Sequence, residues 1–115
     1  MRINVRDETG PNCLTMDDGE RIYGLVHPCL RAGDSVELDF EGVQLVASPF
    51  FNAAVGQLLR DMTAAELRRR VRFTDLSPAG QHVLGRVIEN SAQFYASDAT
   101  TQRADDEALQ GGDDD

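Results

Sequence analysis

Three carboxylates and one serine are the side chains of this sequence whose types and spacing could support chemistry. Asp39 and Glu41 stand near the end of one apolar segment, Asp75 stands near the end of another, and Ser48 precedes a proline and an apolar run. If the two segments are parallel strands, these side chains gather at the carboxyl ends of the strands, where ligands usually bind. Asp39, Glu41 and Asp75 are therefore candidate ligand-binding residues.

A catalytic role for the Asp39–Glu41 pair would need one carboxyl acting as an acid, another acting as a base, and a pocket between them. The alternation of the segment instead places both acids on its polar side, opposite Phe40. We interpret them as solvated or loop-orienting acids, and we predict no catalytic residue in the chain.

The histidines and cysteines do not follow a metal-binding or catalytic spacing. His27 and His82 are far apart, and neither has a serine or cysteine nucleophile at a meaningful distance along the chain. Cys13 and Cys29 form no CxxC pair, so we expect two reduced, structural cysteines and no metal site. The chain contains no lysine, which excludes a Walker-type phosphate loop, and no cofactor is predicted.

Ser48 has two interpretations at the level of sequence. Serine is a favoured N-cap and proline is favoured at the first helical position, and Ser77-Pro78 repeats the dipeptide before another apolar run. The same geometry would tolerate a phosphate on Ser48, because a helix N-terminus offers free N–H groups and partial positive charge. Ser48 is therefore either a cap or a phosphorylated switch.

The elements that would position these residues alternate between strand and helix. Period-two patterns predict strands, and apolar residues recurring at three and four predict helices. The predicted strands are Arg2–Asp7, the short Cys13–Leu14, Ser35–Phe40 and Val71–Leu76, and Val43–Ala47 continues after the third of these as a short apolar segment. The predicted helices begin at Thr15, Ser48, Thr63 and Ser77, and the last of them ends at about Tyr95. This order implies an α/β fold with a largely parallel sheet built from right-handed crossovers.

The composition indicates one small folded domain followed by an acidic tail. The chain has 115 residues, of which 41% are hydrophobic, and a net charge of −9. From Ser97 onward there are seven acidic residues against Arg103 alone, and the apolar periodicity stops. We assign residues 1–96 to the domain and residues 97–115 to a disordered acidic tail.

The charge and hydropathy patterns argue against nucleic acid and membrane as direct partners. The only basic cluster is Arg68, Arg69, Arg70 and Arg72, which is typical of a solvated face, although it could meet an acidic partner or the chain's own tail. No apolar segment approaches the ~20 residues that span a bilayer, and the sequence MRINVRDE does not resemble a signal peptide. We expect a cytoplasmic protein.

Two long segments of the chain resemble a known family. VELDFEGVQLVASPFFNAAVGQLL, followed by VRFTDLSPAGQHVLGRVIENSAQFYA, is similar to the STAS-like domain family of unknown function, a relative of the sulfate transporter and anti-sigma-factor antagonist domain. The resemblance covers roughly residues 15–96, and the LDFEGV segment with the helix after it is its most specific part. It implies a small sheet with helices packed on one side.

The resemblance also implies a function. Anti-sigma-factor antagonists are prokaryotic, non-enzymatic signalling modules of partner-switching circuits, and a GHKL-type ATP-binding kinase phosphorylates a serine or threonine at the start of the matching helix. Ser48 falls at that place, although Ala47 replaces the expected acid and Pro49-Phe50 replaces the small residues that follow.

The predicted contact surface for a protein partner is the start of this helix: Ser48, Pro49, Phe50 and Asn52. We expect Phe50 to be partly exposed and to act as an anchor. The alternative function is a small-ligand or nucleotide sensor, because some relatives of the family bind nucleotides and the carboxylates at Asp39, Glu41 and Asp75 would line such a site.

Overall fold

The computed structural model describes the backbone of residues 1–104 and the side chains of residues 1–96. Five strands alternate with helices, and both of the sheets they form are parallel. The strands are β1 (Arg2–Asn4), β2 (Asn12–Cys13), β3 (Val36–Asp39), β4 (Leu45–Val46) and β5 (Val71–Thr74). The helices are α1 (Val5–Thr9), α2 (Met16–Arg31), α3 (Ser48–Ala54), a 3-10 helix (Gly56–Arg60), α4 (Ala64–Arg70) and α5 (Pro78–Ala104).

The main sheet has the order β1-β3-β5, and its two faces differ in polarity. Successive side chains of a strand point to opposite faces, so residues paired across parallel strands share a face. Ile3, Leu38 and Phe73 are paired in one row and face the core. The neighbouring row, Arg2, Glu37 and Arg72, faces away from it. The predicted α/β fold, with a mostly parallel sheet whose helices cover one side, is confirmed.

A second, two-stranded sheet lies beside the start of α3. β2 pairs with β4, with Cys13 opposite Val46, and the Ala47 backbone N–H donates to the Cys13 carbonyl at 3.0 Å. Cys13 is fully buried and Val46 packs against the core, so this small sheet is attached to the domain by one face.

The first predicted strand is wrong beyond Asn4, where the chain turns into α1. The alternation of Ile3 and Val5 continues past this point, but Asn4 acts as an N-cap and accepts a hydrogen bond from the Asp7 backbone N–H at 3.2 Å. Val5 remains buried as the inward residue of the helix. Gly10 then ends α1 with a positive φ of 91°.

α3 lies between α2 and α5, which determines how much of it is buried. A Cβ added at Gly19 of α2 would lie 2.3 Å from the Phe50 carbonyl oxygen and 2.7 Å from Ala53 Cβ. Glycine at this position therefore lets the two helices approach closely. The residues predicted to face inward are buried, apart from the partly buried Met62: Phe51, Ala54, Val55, Leu58 and Leu59.

The last two helices begin with the predicted signals, and the last one is longer than predicted. Thr63 and Glu66 form a complete capping box before α4. α5 continues past Tyr95 to Ala104, into the segment predicted to be disordered. Residues 105–115 lie outside the described residues, and for them the disordered acidic tail stays a prediction. None of the described helices combines the length and apolar character that crossing a bilayer requires.

Candidate functional site

The start of α3 does not use Ser48 as a cap, contrary to the first interpretation of that residue. The helix begins one residue earlier than a Ser48 cap would require, because Ala47 is the N-cap residue. The N–H groups of Phe50 and Phe51 both bond to the Ala47 carbonyl, at 3.1 and 3.3 Å. The Ser48 hydroxyl is exposed and makes no hydrogen bond with the described residues.

Of the predicted contact residues, three are on the surface and one is not. Ser48, Pro49 and Asn52 are exposed. The prediction that Phe50 is a partly exposed anchor is wrong, since its side chain is 0% exposed and its ring packs against Phe51 with centroids 5.3 Å apart. The physical reason is that α2 and α5 cover α3 from two sides, so adjacent residues of the helix are both buried.

Three exposed apolar side chains, which the sequence patterns missed, lie in or shortly after the two short strands that pair next to the start of α3. Leu45 is 56% exposed, Leu14 is 44% exposed and Met16 is 58% exposed. Leu45 lies opposite Asn12 on the outer face of the small sheet, and Leu14 continues that face one step beyond the Cys13–Val46 pair. We call Leu14, Met16, Leu45, Ser48 and Pro49 the Ser48 surface. The one sequence feature that pointed to this surface was the predicted strand Cys13–Leu14, since a strand with Cys13 facing the core turns Leu14 outward.

The structure brings the three candidate ligand-binding acids together, as predicted. Asp39 ends β3 and Asp75 directly follows β5, so they stand at the carboxyl ends of neighbouring parallel strands. One carboxylate oxygen from each of Asp39, Glu41 and Asp75 lies within 4.8 Å of the others. Asp75 has a φ of 55°, a left-handed conformation that aspartate tolerates better than most residues.

Asp39 is fully buried, so the interpretation of it as a solvated acid is wrong, whereas its role in orienting the loop is confirmed. The Glu41 backbone N–H donates to Asp39 Oδ1 at 3.0 Å. The Arg2 guanidinium donates to Asp39 Oδ2 across the β1–β3 pair. These two contacts favour the ionised carboxylate and hold the pKa of Asp39 below its ordinary value of 3.8.

Asp39 therefore links β3 to the turn that follows it and to β1. Glu41 and Asp75 are the more accessible acids of the cluster. Such oxygens could receive a divalent cation, which prefers carboxylate ligands. A phosphate group alone would be repelled by three acids this close together.

The other residues considered for chemistry have structural partners. His27 Nε2 lies 3.2 Å from Asp61 Oδ2, and its ring stacks on Tyr23 with centroids 4.9 Å apart. Cys13 Sγ lies 3.2 Å from the Thr9 hydroxyl, and burial raises the pKa of this thiol, which disfavours the reactive thiolate. Both cysteines are free, and His82 is exposed in the first turns of α5.

Comparison with protein families identifies the class of this chain. The model of the STAS-like domain of unknown function (DUF4325) matches residues 18–81, which is more than half of the chain, and the chain belongs to this family. The resemblance deduced from the LDFEGV segment is thereby confirmed. Neither the curated proteins nor the solved structures contained a match to the chain.

The matched region includes Ser48 and all three acids of the cluster. It excludes β1, α1 and β2, so Arg2, Leu14 and Met16 come from a segment that precedes the family match. The Ser48 surface is therefore built partly from the family's own region and partly from the chain before it.

Proposed function

We propose that this protein is a regulatory module that works by binding another protein through the Ser48 surface. The exposed apolar side chains near Ser48 carry the proposal, because Leu14 and Leu45 share the outer face of the small sheet that leads into α3, and Met16 follows two residues after Leu14. Scattered apolar residues are normal on a protein surface, whereas grouped ones rimmed by polar residues mark interaction sites. Asn12 and Asn52 provide a polar rim.

The proposed mode of control is phosphorylation of Ser48 in a partner-switching circuit, as in the anti-sigma-factor antagonists that the family resembles. The hydroxyl is exposed and makes no hydrogen bond with the described residues, so modification would break no contact of the fold. A phosphate would add a charge of roughly −2 beside the apolar side chains that the partner covers. The proposed partner is a GHKL-type ATP-binding kinase-like protein.

The proposal includes a non-enzymatic role in the cytoplasm. Two observations support the non-enzymatic role. Ser48 has no base within hydrogen-bonding distance among the described residues. Cys13 is buried, and burial raises the pKa of its thiol. Nucleophilic catalysis needs an accessible nucleophile beside a base that activates it.

The surface is tested by adding a charge to it. Leu45→Asp should abolish capture of the partner by the immobilised full chain, because it places a carboxylate where apolar contact is required. Phe94→Asp is the matched control, since Phe94 is 64% exposed and lies on α5, away from the surface. Mass spectrometry identifies the captured protein. Capture that survives Leu45→Asp, or that is lost equally with Phe94→Asp, would contradict the proposed surface.

The switch is tested with a pair of substitutions at Ser48. Ser48→Asp should lose the captured partner and Ser48→Ala should keep it, because only the first adds a negative charge. Intact mass measurement after incubation with the partner and ATP checks for one added phosphate. Equal binding by both variants, together with no added phosphate, would remove Ser48 from the mechanism while leaving the docking surface to be judged by Leu45→Asp.

A small-ligand sensor is the second candidate, and the meeting of Asp39, Glu41 and Asp75 favours it. An anionic nucleotide would need a divalent cation to approach these acids. Calorimetry with GTP and ATP, each with and without Mg²⁺, tests the idea. Binding that requires Mg²⁺ and disappears in Glu41→Gln/Asp75→Asn supports the sensor, and the absence of heat in every combination contradicts it.

A further inference from the structure

An open groove follows the free edge of the main sheet, on a part of the domain separate from the Ser48 surface. β5 is an edge strand of the described part of the chain, in which β3 is its only strand neighbour. The groove has a volume of about 410 Å³ and runs along this strand between α4 and α5. Its lining includes Arg68, Val71, Arg72, Phe73, Leu76 and Leu84.

The backbone of β5 can accept another strand along this groove. The Phe40 backbone N–H donates to the Thr74 carbonyl, which fixes the side of β5 that faces β3. Because hydrogen-bonding directions alternate along a strand, the N–H and carbonyl groups of Phe73 point to the free edge. Extended peptides add to such edges, with main-chain bonds supplying affinity and side-chain pockets supplying specificity.

The side chains at the groove specify the chemistry of such a peptide. Arg68 and Arg72 line the groove and are exposed, and neither forms an ion pair or a side-chain hydrogen bond with another described residue. Leu76 and Leu84, which are mostly buried, contribute an apolar part to the groove lining between α4 and α5. A matching peptide carries several carboxylates close to one large apolar side chain.

The sequence of this chain contains such a peptide outside the described residues. Within residues 105–115, Asp105, Asp106 and Glu107 come shortly before Leu109, and three more aspartates follow. Leu109 is the only large apolar side chain of the segment. Both the charge and the single apolar residue are complementary to the arginine-lined groove.

The length of α5 decides whether the segment can dock on its own domain. The groove meets α5 at Leu84 and Gly85, and the helix ends at Ala104. At 1.5 Å per residue the helix carries the chain about 28 Å beyond the groove. Leu109 can return at most about 17 Å from Ala104, even when fully extended. Asp105, Asp106, Glu107 and Leu109 therefore fall short of their own groove but can enter that of a neighbour, whereas only the last three aspartates, at about 30 Å or more from Ala104 when extended, could reach back to it.

We infer that the arginine-lined edge of β5 binds the acidic segment 105–115 of a second copy of this chain. The segment adds to the edge as an extended peptide, its carboxylates pair with Arg68 and Arg72, and Leu109 contacts the apolar part of the groove lining. The result is self-association of the full chain that depends on charge.

Sedimentation velocity of the full chain over a wide range of protein concentrations tests this inference. We expect concentration-dependent association at low salt and its loss at about 1 M salt, where the Debye length is about 3 Å. Arg68→Gln/Arg72→Gln should weaken association about tenfold or more, and Asp105→Asn/Asp106→Asn/Glu107→Gln should have the same effect. The charge-matched control is Arg21→Gln/Arg31→Gln, two exposed arginines of α2, which should associate as the unchanged chain does.

Three results would overturn the inference. The first is a chain that stays monomeric at every concentration. The second is association that both the groove variant and the tail variant leave unchanged, which would place the contact elsewhere. The third is a monomer whose amide resonances in β5 shift when the tail acids are neutralised, since that would show the segment docked on its own domain.

Discussion

Ser48 and Ser77 each precede a proline at the start of a helix, yet only Ser77 is a cap. The Ser77 hydroxyl accepts a hydrogen bond from the Gly80 backbone N–H at 3.0 Å, whereas Ser48 accepts none from the described residues. Ser77→Ala should therefore lower the free energy of unfolding by about 1 kcal/mol, the usual effect of removing a cap. Ser48→Ala should change it by less than about 0.5 kcal/mol.

Denaturant titration of the two variants measures both values. The pair controls for sequence context, because each serine precedes a proline. A loss of stability in Ser48→Ala as large as that in Ser77→Ala would show that Ser48 caps α3 in solution. A loss in neither variant would show that the Ser77 hydrogen bond contributes little to stability.

Asp39 should make the stability of the domain depend on pH in a defined direction. The Glu41 backbone N–H and the Arg2 guanidinium lower the pKa of Asp39 in the folded state below 3.8, its ordinary value. A carboxyl with a lowered folded pKa stabilises the fold above its unfolded pKa, and this stabilisation is lost as the pH falls through the folded pKa. Asp39→Asn should thus be less stable than the unchanged chain at neutral pH.

The difference in the free energy of unfolding between the unchanged chain and Asp39→Asn should shrink as the pH falls below 3.8. Protonation of Asp39 then removes from the unchanged chain the charge that the substitution removes. Denaturant titrations at neutral and acidic pH measure it. Asp17→Asn is the control, since Asp17 is an exposed acid in the first turn of α2. A difference that is constant with pH would show that Asp39 contributes through packing rather than through its charge.

The sequence predicted the part of the candidate site that the ends of the strands position. The meeting of Asp39, Glu41 and Asp75 follows from two apolar segments being neighbouring parallel strands. The contact of Asp39 with Arg2 depends on how β1 is aligned with β3, which no local pattern gives. The burial of Phe50 likewise depends on a second helix covering α3.

At the scale of the helices, the close contact between α2 and α3 depends on a single glycine. A Cβ at Gly19 would come within 2.3 Å of the Phe50 carbonyl oxygen, which is backbone and cannot move aside. Gly19→Ala should lower the free energy of unfolding by about 1–3 kcal/mol through overpacking. Gly24 lies on the same helix, and apart from the backbone of that helix no atom of the described residues comes within 4 Å of a Cβ added there, so Gly24→Ala should stabilise the chain by about 0.5–1 kcal/mol.

Denaturant titration of both variants tests the packing, since the substitutions share the same change in helix propensity. Opposite signs are the expected result. If Gly19→Ala were as stable as Gly24→Ala, α2 and α3 would be farther apart in solution than in this structure.

The order of the elements could be predicted because strand and helix periodicity differ and because turns and caps carry their own residues. The capping box before α4 and the Ser77-Pro78 start of α5 are examples. α1 was missed because Ile3 and Val5 keep alternating across its start, while the signal that ends the strand is the hydrogen bond accepted by Asn4. Asn4 is a favoured N-cap residue, but the alternation of Ile3 and Val5 around it is equally compatible with a longer strand.

At the scale of the whole molecule, the small sheet that carries part of the Ser48 surface and the groove along β5 both adjoin the first turns of α5. A Cβ added at Gly80 would lie 3.0 Å from a Val46 methyl carbon, which places this turn beside the small sheet. Gln81 and Leu84, within the next turns, line the groove along β5. A partner on the Ser48 surface and an acidic segment in the groove would thus both bind near the start of α5.

Stability and self-association should respond differently to removal of residues 105–115. The buried apolar residues of the described chain run from Ile3 to Ile88, and Ala92 and Tyr95 pack against them. A deletion of residues 105–115 should leave the midpoint of thermal unfolding nearly unchanged in dilute solution, yet abolish the salt-dependent association. A deletion that begins at Ala92 should lower the midpoint, because it also removes two side chains that cover the core.

Differential scanning calorimetry and sedimentation of the same samples separate the two effects. At low concentration a segment that docks only on a second copy cannot stabilise the single domain, because stabilisation by association grows with protein concentration. A large drop in the midpoint on removing residues 105–115 from dilute protein would mean that the segment packs on its own domain. Entry of Leu109 into the groove of its own chain would then require α5 to end before Ala104, since five residues from Ala104 span too short a distance.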